Sequence, residues 1–254
     1  MGSEGVSSEP SLDPSPTCAP LIPPLKMKVS TITLPMLASL AAANPVELTE
    51  RQSCPPIHIF GARETTVPQG YGTSQGLVNM VAQAYPGATR EAIVYPACGG
   101  QSQCGGVSYE NSARQGTAAV VRAVTTLNQR CPDTKIVLIG YSQGGQIMDG
   151  ALCGGAGATL TGAPLAAVKA AIFMGDPMYN QGLPYNVGTC RARGFAGRPN
   201  GFQCSPGNPA IIQSYCDSTD PYCCTGNDAN SHQQYVNKYG QQALAFIRRQ
   251  LDAA

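Results

Sequence analysis

One serine of this sequence lies in a setting that suits covalent catalysis. Ser142 is the centre of Gly140-Tyr-Ser-Gln-Gly144, which directly follows the most apolar stretch of the chain and precedes a helical pattern. A strand, a tight turn and a helix are the context in which a G-x-S-x-G pentapeptide exposes a nucleophilic hydroxyl. Backbone N–H groups at the start of the helix can then stabilise an oxyanion. We therefore predict that Ser142 is the nucleophile of an acyl transfer, the alternative being a glycine-rich structural turn.

A serine hydroxyl needs a base to take its proton, and the sequence contains two histidines. His58 lies inside a predicted strand and precedes the serine in the chain. His232 lies in a polar stretch downstream of every predicted strand. Because the order along an α/β-hydrolase chain is Ser, acid, His, we predict that His232 is the base and that His58 is packed in the core. The alternative for His232 is an ordinary surface-loop histidine.

Five aspartates lie between the predicted nucleophile and base, and each could supply the carboxylate that orients the imidazole. They are Asp149, Asp176, Asp217, Asp220 and Asp228. Asp220 follows the last predicted strand, between Cys216 and Cys223, and a disulfide there would hold its loop still. Asp176 competes with it because Asp176 ends a predicted strand. The loop argument favours Asp220 and makes Asp176 a structural residue.

Apolar stretches alternate with helical patterns along the chain, which predicts an α/β protein with a mostly parallel sheet. Strands are predicted at 57–60, 92–95, 135–140, 167–174 and 211–215, and helices at 76–84, 116–127, 143–152 and 240–251. Functional residues of such sheets lie at the carboxyl ends of the strands. Ser142 follows the third predicted strand directly, so we expect the site at that edge.

Composition narrows the classes of partner and indicates an oxidising compartment. The formal net charge is +1 and no long run of one sign occurs, so we expect neither nucleic acid nor a membrane as a partner. Ten of the eleven cysteines lie between Cys54 and Cys224, which indicates a disulfide framework and secretion. Metal binding is the alternative. Since the sequence has no paired C-x2-C ligands and few histidines, we expect no metal.

The N-terminal part of the chain divides into three segments before the predicted catalytic domain. Residues 1–26 are rich in Pro and Ser and include Cys18, so we expect a disordered, gene-model extension. Residues 27–43 combine a basic start, a short apolar run and a small-residue end, which is typical of a signal peptide. Residues 44–51 have the character of a pro-segment. We expect the catalytic domain to span 52–254.

Four segments, taken together, closely resemble the fungal acetylxylan esterases of the cutinase-like carbohydrate esterase family 5. They are Ala62-Arg-Glu-Thr-Thr66, Tyr95-Pro-Ala-Cys-Gly-Gly-Gln101, Gly140-Tyr-Ser-Gln-Gly-Gly145 and Cys216…Asp220-Pro-Tyr-Cys-Cys224…His232. The resemblance extends from about Cys54 to Leu251. It implies a lidless, three-layer α/β-hydrolase with a five-stranded, mainly parallel sheet between helices, and an enzyme that needs no cofactor. Nothing in the sequence requires an oligomer, so we expect a monomer.

The same resemblance assigns roles to individual residues. It implies a catalytic triad of Ser142, Asp220 and His232. It implies an oxyanion hole formed by the Gln143 N–H together with the N–H and hydroxyl of Thr65. The cysteine pairs that it implies are Cys54–Cys131, Cys98–Cys104 and Cys216–Cys223, with Cys153–Cys204 and Cys190–Cys224 as the expected pairing of the other four.

The expected substrate is acetylated xylan, and the alternatives are a cutinase or a general short-chain carboxylesterase. Tyr222 lies two residues after the predicted acid, and the resemblance implies that its ring closes the acyl site to chains longer than acetyl. The alternative is that Tyr222 only packs on the disulfides. Because the sequence has no Trp, we expect sugar stacking on Tyr109, Tyr179 or Tyr185. A non-catalytic wall-binding protein would have a broken triad.

Overall fold

A parallel sheet forms the centre of the fold. The computed structural model describes residues 53–254, and in that range the strands are β1 (Ile57–Ala62), β2 (Thr89–Ala92), β3 (Lys135–Tyr141), β4 (Val168–Met174), β5 (Asn186–Val187) and β6 (Ile212–Tyr215). Their order is β2-β1-β3-β4-β6-β5, and every neighbouring pair is parallel. The predictions for 1–26, including Cys18, and for 27–43 and 44–51 lie outside the described residues.

Helices cover both faces of this sheet. They are α1 (Gln75–Ala84), α2 (Tyr109–Arg130), α3 (Gln143–Cys153), α4 (Gly162–Ala167) and α5 (Tyr235–Asp252), with short 3-10 turns at Gly72–Ser74, Ser102–Cys104, Pro209–Ile211 and Ser231–Gln233. Along β3, Ile136 and Leu138 pack with the α2 and α3 side, whereas Val137 and Ile139 pack with the α1 and α5 side. A strand buried on both faces reads as a continuous apolar run. The predicted three-layer α/β class is confirmed.

The second strand lies earlier than the sequence predicted. We expected it at 92–95, and β2 is Thr89–Ala92, paired with β1. β2 is an edge strand whose first three side chains are exposed, so it lacks the apolar signal of a buried strand. The apolar residues Ile93 and Val94 follow it, with Ile93 buried and Val94 exposed.

The sheet also has one strand more than predicted within the described residues. β5 is two residues long and pairs only with β6, and so short a segment carries no periodic pattern. Helices α2 and α5 begin at Tyr109 and Tyr235, before the predicted positions 116 and 240. At α2 the Ser108 side chain caps the helix by accepting the Asn111 N–H at 3.3 Å.

Disulfides join distant parts of the described chain. The pairs are Cys54–Cys131, Cys98–Cys104, Cys153–Cys204, Cys190–Cys224 and Cys216–Cys223, the same pairs that the family resemblance implies. Among residues 53–254, no helix is both long enough and apolar enough to cross a membrane.

Two of these disulfides close loops of very different length, so removing them should lower the free energy of unfolding by different amounts. The half-cystines of Cys54–Cys131 are 77 residues apart and those of Cys98–Cys104 are 6 apart. Loop-closure entropy predicts that replacing the first pair by serine lowers the free energy of unfolding by about 4 kcal/mol, and the second by about 2 kcal/mol. Urea denaturation of both double variants without reductant measures the difference. Equal losses would contradict the entropic account.

Candidate active site

The turn after β3 holds Ser142 in an uncommon backbone conformation. Its φ is 53° and its ψ is −121°, which a residue with a side chain adopts only under strain. A Cβ at Gly140 would overlap the carbonyl oxygen of Gly144, and one at Gly144 would overlap that of Ala62. The glycines of the pentapeptide are therefore required by the close approach of β1, β3 and α3. The turn leaves the Ser142 side chain partly exposed at the start of α3.

His232 lies beside the carboxyl end of β4, on a 3-10 turn just before α5. Gly175, which directly follows β4, leaves room for it: a Cβ at Gly175 would be 2.7 Å from Cε1 and 2.9 Å from Nδ1 of the imidazole. The backbone carbonyl of His232 accepts the Tyr141 hydroxyl at 2.6 Å. His232 is thus held by Gly175, which packs against its imidazole, and by Tyr141, whose hydroxyl donates to its backbone carbonyl.

The Asp220 carboxylate is completely buried and accepts hydrogen bonds on both oxygens. Oδ2 lies 2.7 Å from Nδ1 of His232 and accepts the Tyr235 hydroxyl at 2.8 Å. Oδ1 accepts the N–H groups of Tyr222 at 2.6 Å and Cys223 at 3.2 Å. Burial acts to raise the pKa of Asp220, but the hydrogen bond and charge of His232, helped by Tyr222 and Tyr235, hold that pKa below its ordinary value. An ionised carboxylate here favours the tautomer with the proton on Nδ1.

The loop that carries Asp220 is held at several points. The Cys216–Cys223 disulfide closes it. The Asp220 N–H donates to the carbonyl of Asp217 at 3.1 Å, and the Asp217 carboxylate accepts the ammonium of Lys238 on α5 at 2.7 Å. The loop is therefore tied both to itself and to the helix that follows the histidine.

The other candidate aspartates are engaged elsewhere. Asp149 forms a buried ion pair with Arg198, with 3.0 Å between Oδ1 and Nη2. Asp176 is buried at the end of β4, and burial together with the nearby charge of Asp149 raises its pKa well above the ordinary value. Asp228 accepts a backbone N–H two residues later. It is Asp220, rather than Asp176, whose carboxylate contacts the imidazole of His232.

Gln143 uses its side chain and its backbone for different purposes. The side chain is buried: Nε2 donates to the carbonyl of Cys98 at 3.1 Å, and Oε1 accepts the hydroxyl of Ser112 at 2.8 Å. The backbone N–H belongs to the first residue of α3 and has no acceptor within the helix. The side chain thus fixes the residue so that its N–H points out of the helix end beside Ser142.

Thr65 lies on the loop after β1, facing the same space. The neighbouring Thr66 adopts a positive φ of 66° and donates its N–H to the carbonyl of Ala97 at 2.6 Å, which ties the loop to the segment before Cys98. Thr65 is half-buried and lines the cavity that also contains Ser142.

A cavity of about 370 Å³ brings these side chains together. Ser142, His232 and Thr65 line it, and Tyr222 forms part of its wall. The Tyr222 ring lies on the imidazole of His232, with 4.6 Å between ring centroids, and its side chain remains partly exposed. Tyr222 and Ser142 thus line the same cavity.

The sequence reasoning was partly wrong about the aromatic residues around this cavity. Tyr109 lines it, but Tyr179 and Tyr185 are 3% and 6% exposed and cannot stack on a sugar. Phe195 lines the cavity and was missed, because it stands in a glycine- and arginine-rich loop without periodicity. His58 is buried as expected. Burial and the charge of Arg130 lower its pKa to about 4.

Comparison with known proteins assigns the chain to a family. The sequence profile of the family named Cutinase matches residues 53–251, which is nearly all of the described chain. The chain belongs to the cutinase family. Ser142, Asp220 and His232 all lie within the matched residues.

Several relatives are more than half identical to this cutinase-family chain. Cutinase 11 of Verticillium dahliae is 60% identical and the match covers 89% of this chain and 78% of that protein. Acetylxylan esterase of Hypocrea jecorina is 58% identical, covering 87% and 77%. Acetylxylan esterase 2 of Talaromyces purpureogenus is 59% identical, covering 83% and 94%.

Solved structures support the same placement. An acetylxylan esterase structure superposes with a TM-score of 0.76 at 58% identity and covers 78% of this chain and 100% of that one. The catalytic core domain of acetyl xylan esterase from Trichoderma reesei gives 0.74 at 60% identity, with the same coverage. The cutinase-like α/β-hydrolase fold is confirmed.

The space that Gly175 leaves for the imidazole can be tested by filling it. Gly175→Ala should displace His232 and slow covalent labelling of Ser142 by a fluorophosphonate about 100-fold, because misplacing a catalytic group by about 1 Å has that effect. Gly182 is the matched control: it also has a positive φ, 81° against 63°, but a Cβ there meets nothing within 4 Å. Gly182→Ala should have the same kind of backbone strain from a positive φ, without the clash, and label normally. Equal labelling rates in both variants would contradict the steric argument.

Proposed function

We propose that this chain is a secreted serine esterase that removes acetyl groups from acetylated xylan. The observation that carries the proposal is the contact between Asp220 and His232 in the cavity that contains Ser142. The similarity to two acetylxylan esterases, each nearly 60% identical, supports the choice of substrate. Disulfides throughout the described chain support an oxidising, extracellular location. We further propose that 27–43 is a signal peptide and that the domain spans 52–254.

The proposed mechanism is acyl transfer in two steps. Nε2 of His232 takes the proton of Ser142 as the serine oxygen attacks the ester carbonyl. The ionised Asp220 stabilises the imidazolium, which then protonates the departing sugar oxygen. Water, deprotonated by the same imidazole, attacks the acetyl-enzyme, and the imidazolium returns its proton to the Ser142 oxygen as acetate leaves.

The negative charge that develops on the carbonyl oxygen needs donors that are already in place. We assign the Gln143 N–H and the N–H and hydroxyl of Thr65 to this role. The buried contacts of the Gln143 side chain support the assignment, because a donor held rigid before the reaction needs no reorganisation during it. Loss of one such donor raises the barrier by about 3 kcal/mol.

The acyl group that fits is small. The Tyr222 N–H donates to the buried Asp220 carboxylate, so the tyrosine cannot move away without leaving that charge short of a hydrogen bond. Its ring contacts the imidazole of His232, with 4.6 Å between centroids, and lines the cavity that contains Ser142. A relative at 60% identity is named Cutinase 11, and a cutinase would require room for a longer acyl chain at this point.

The serine has a direct test. Ser142→Ala should reduce acetate release from acetylated xylan by at least about 1,000-fold, because removing the nucleophile removes the covalent route. Ser53→Ala, at an exposed serine remote from the cavity, is the matched control and should retain full activity. Acetate release at the wild-type rate by Ser142→Ala would refute the mechanism. A wild-type chain that binds xylan and releases no acetate would favour the non-catalytic alternative.

The role of Tyr222 is tested with p-nitrophenyl esters from acetyl to octanoyl. The wild-type rate should fall steeply beyond acetyl. Tyr222→Ala should gain about tenfold on butyryl and longer esters, since removing the ring opens a pocket worth one or two methylene groups of binding. Tyr222→Phe keeps the ring and should keep the wild-type profile. A wild-type rate that peaks at butyryl or longer would instead indicate a cutinase.

A further inference from the structure

An apolar ring stands exposed at the mouth of the active-site cavity. Among residues 53–254, the exposed large hydrophobic side chains are Val94, Phe195 and Tyr222. Tyr222 and Phe195 line the cavity of Ser142, whereas Val94 lies elsewhere. Phe195 is 60% exposed, and it takes no part in the proposed mechanism or in the proposed limit on the acyl chain. Exposed aromatic side chains beside a reactive site are characteristic of binding surfaces.

The backbone around this ring is held firmly. The Phe195 N–H donates to the carbonyl of Tyr222 at 3.1 Å, and the Ala196 N–H donates to that of Pro177 at 3.1 Å. Three residues further on, the guanidinium of Arg198 is buried in its ion pair with Asp149. The ring is therefore exposed although the backbone of its loop is held in place by hydrogen bonds.

The ring itself has a defined orientation. It makes an edge contact with Tyr109, with 5.2 Å between centroids and 65° between planes. Tyr109 is in turn held by its hydroxyl, which donates to Oε1 of Gln146 on α3 at 2.7 Å. A T-shaped contact occupies at most one face of the Phe195 ring. Much of the ring remains exposed, and Phe195 lines the cavity.

We propose that Phe195 is a stacking platform for a xylose ring of the polysaccharide, and this proposal rests on the proposed function. A pyranose has an apolar face of C–H groups and a rim of hydroxyls, so it needs a flat apolar surface beside polar groups. The side chains of Glu64, Gln101 and Gln233 line the same cavity and supply hydrogen-bond partners for that rim. A fatty acyl chain would gain nothing from these polar groups, which is why we favour a sugar.

Kinetics on two substrates distinguish a sugar-binding role of Phe195 from a role in catalysis. Phe195→Ala should raise KM for acetylated xylan about tenfold, the loss typical of one aromatic stacking contact, and leave kcat nearly unchanged. Its kcat/KM for ethyl acetate, whose alcohol has no ring to stack on Phe195, should remain within about twofold of wild type. Phe195→Tyr keeps the flat ring and should behave as wild type. Val94→Ala is the matched control for loss of an exposed apolar side chain.

Binding without catalysis keeps this test independent of the esterase assignment. In a Ser142→Ala background, retardation of the protein in gels containing soluble xylan should be lost on adding Phe195→Ala and kept on adding Val94→Ala. Failure of acetate release in the wild type, with retardation that depends on Phe195, would reject the proposed reaction and retain the platform. Wild-type KM and unchanged retardation in Phe195→Ala would overturn the platform. So would a selective loss on p-nitrophenyl octanoate, which would show that the ring contacts an acyl chain.

Discussion

The burial of one negative charge determines much of the structure around the candidate site. Asp220 is completely inaccessible to solvent, and an ionised carboxylate in such a place is tolerated only when hydrogen bonds replace its water. The partners come from its own loop, from the turn that carries His232 and from Tyr235 at the start of α5. The Cys216–Cys223 disulfide and the start of α5 therefore both help to keep the Asp220 carboxylate ionised.

The same contacts connect the proposed catalysis to the proposed selectivity. The Tyr222 N–H stabilises the carboxylate, and the ring of the same residue contacts the imidazole of His232 in the proposed acyl site. The Tyr222 carbonyl accepts the N–H of Phe195, so the aromatic ring at the cavity mouth is positioned by the same short segment. One disulfide-closed loop thus holds Asp220, carries Tyr222 and anchors the backbone of Phe195.

The parts of this site that were predictable are those with a local physical signature. The apolar β3 and the glycines around Ser142 are dictated by steric contacts that the sequence displays directly, and the loop of Asp220 was marked by its cysteines. β2 was placed too late because an exposed edge strand has no apolar signal. Phe195 was missed because its position depends on hydrogen bonds to distant carbonyls, and no spacing within its own loop records them.

The choice between Asp220 and Asp176 shows why position at a strand end was insufficient. Both carboxylates are buried near the carboxyl edge of the sheet. Asp220 collects enough donors to lower its pKa, whereas burial and the charge of Asp149 raise that of Asp176, which favours its neutral form. A neutral carboxyl cannot stabilise an imidazolium by charge. The end of β4 therefore serves the site through Gly175, which makes room for the imidazole, and not through the acid that follows it.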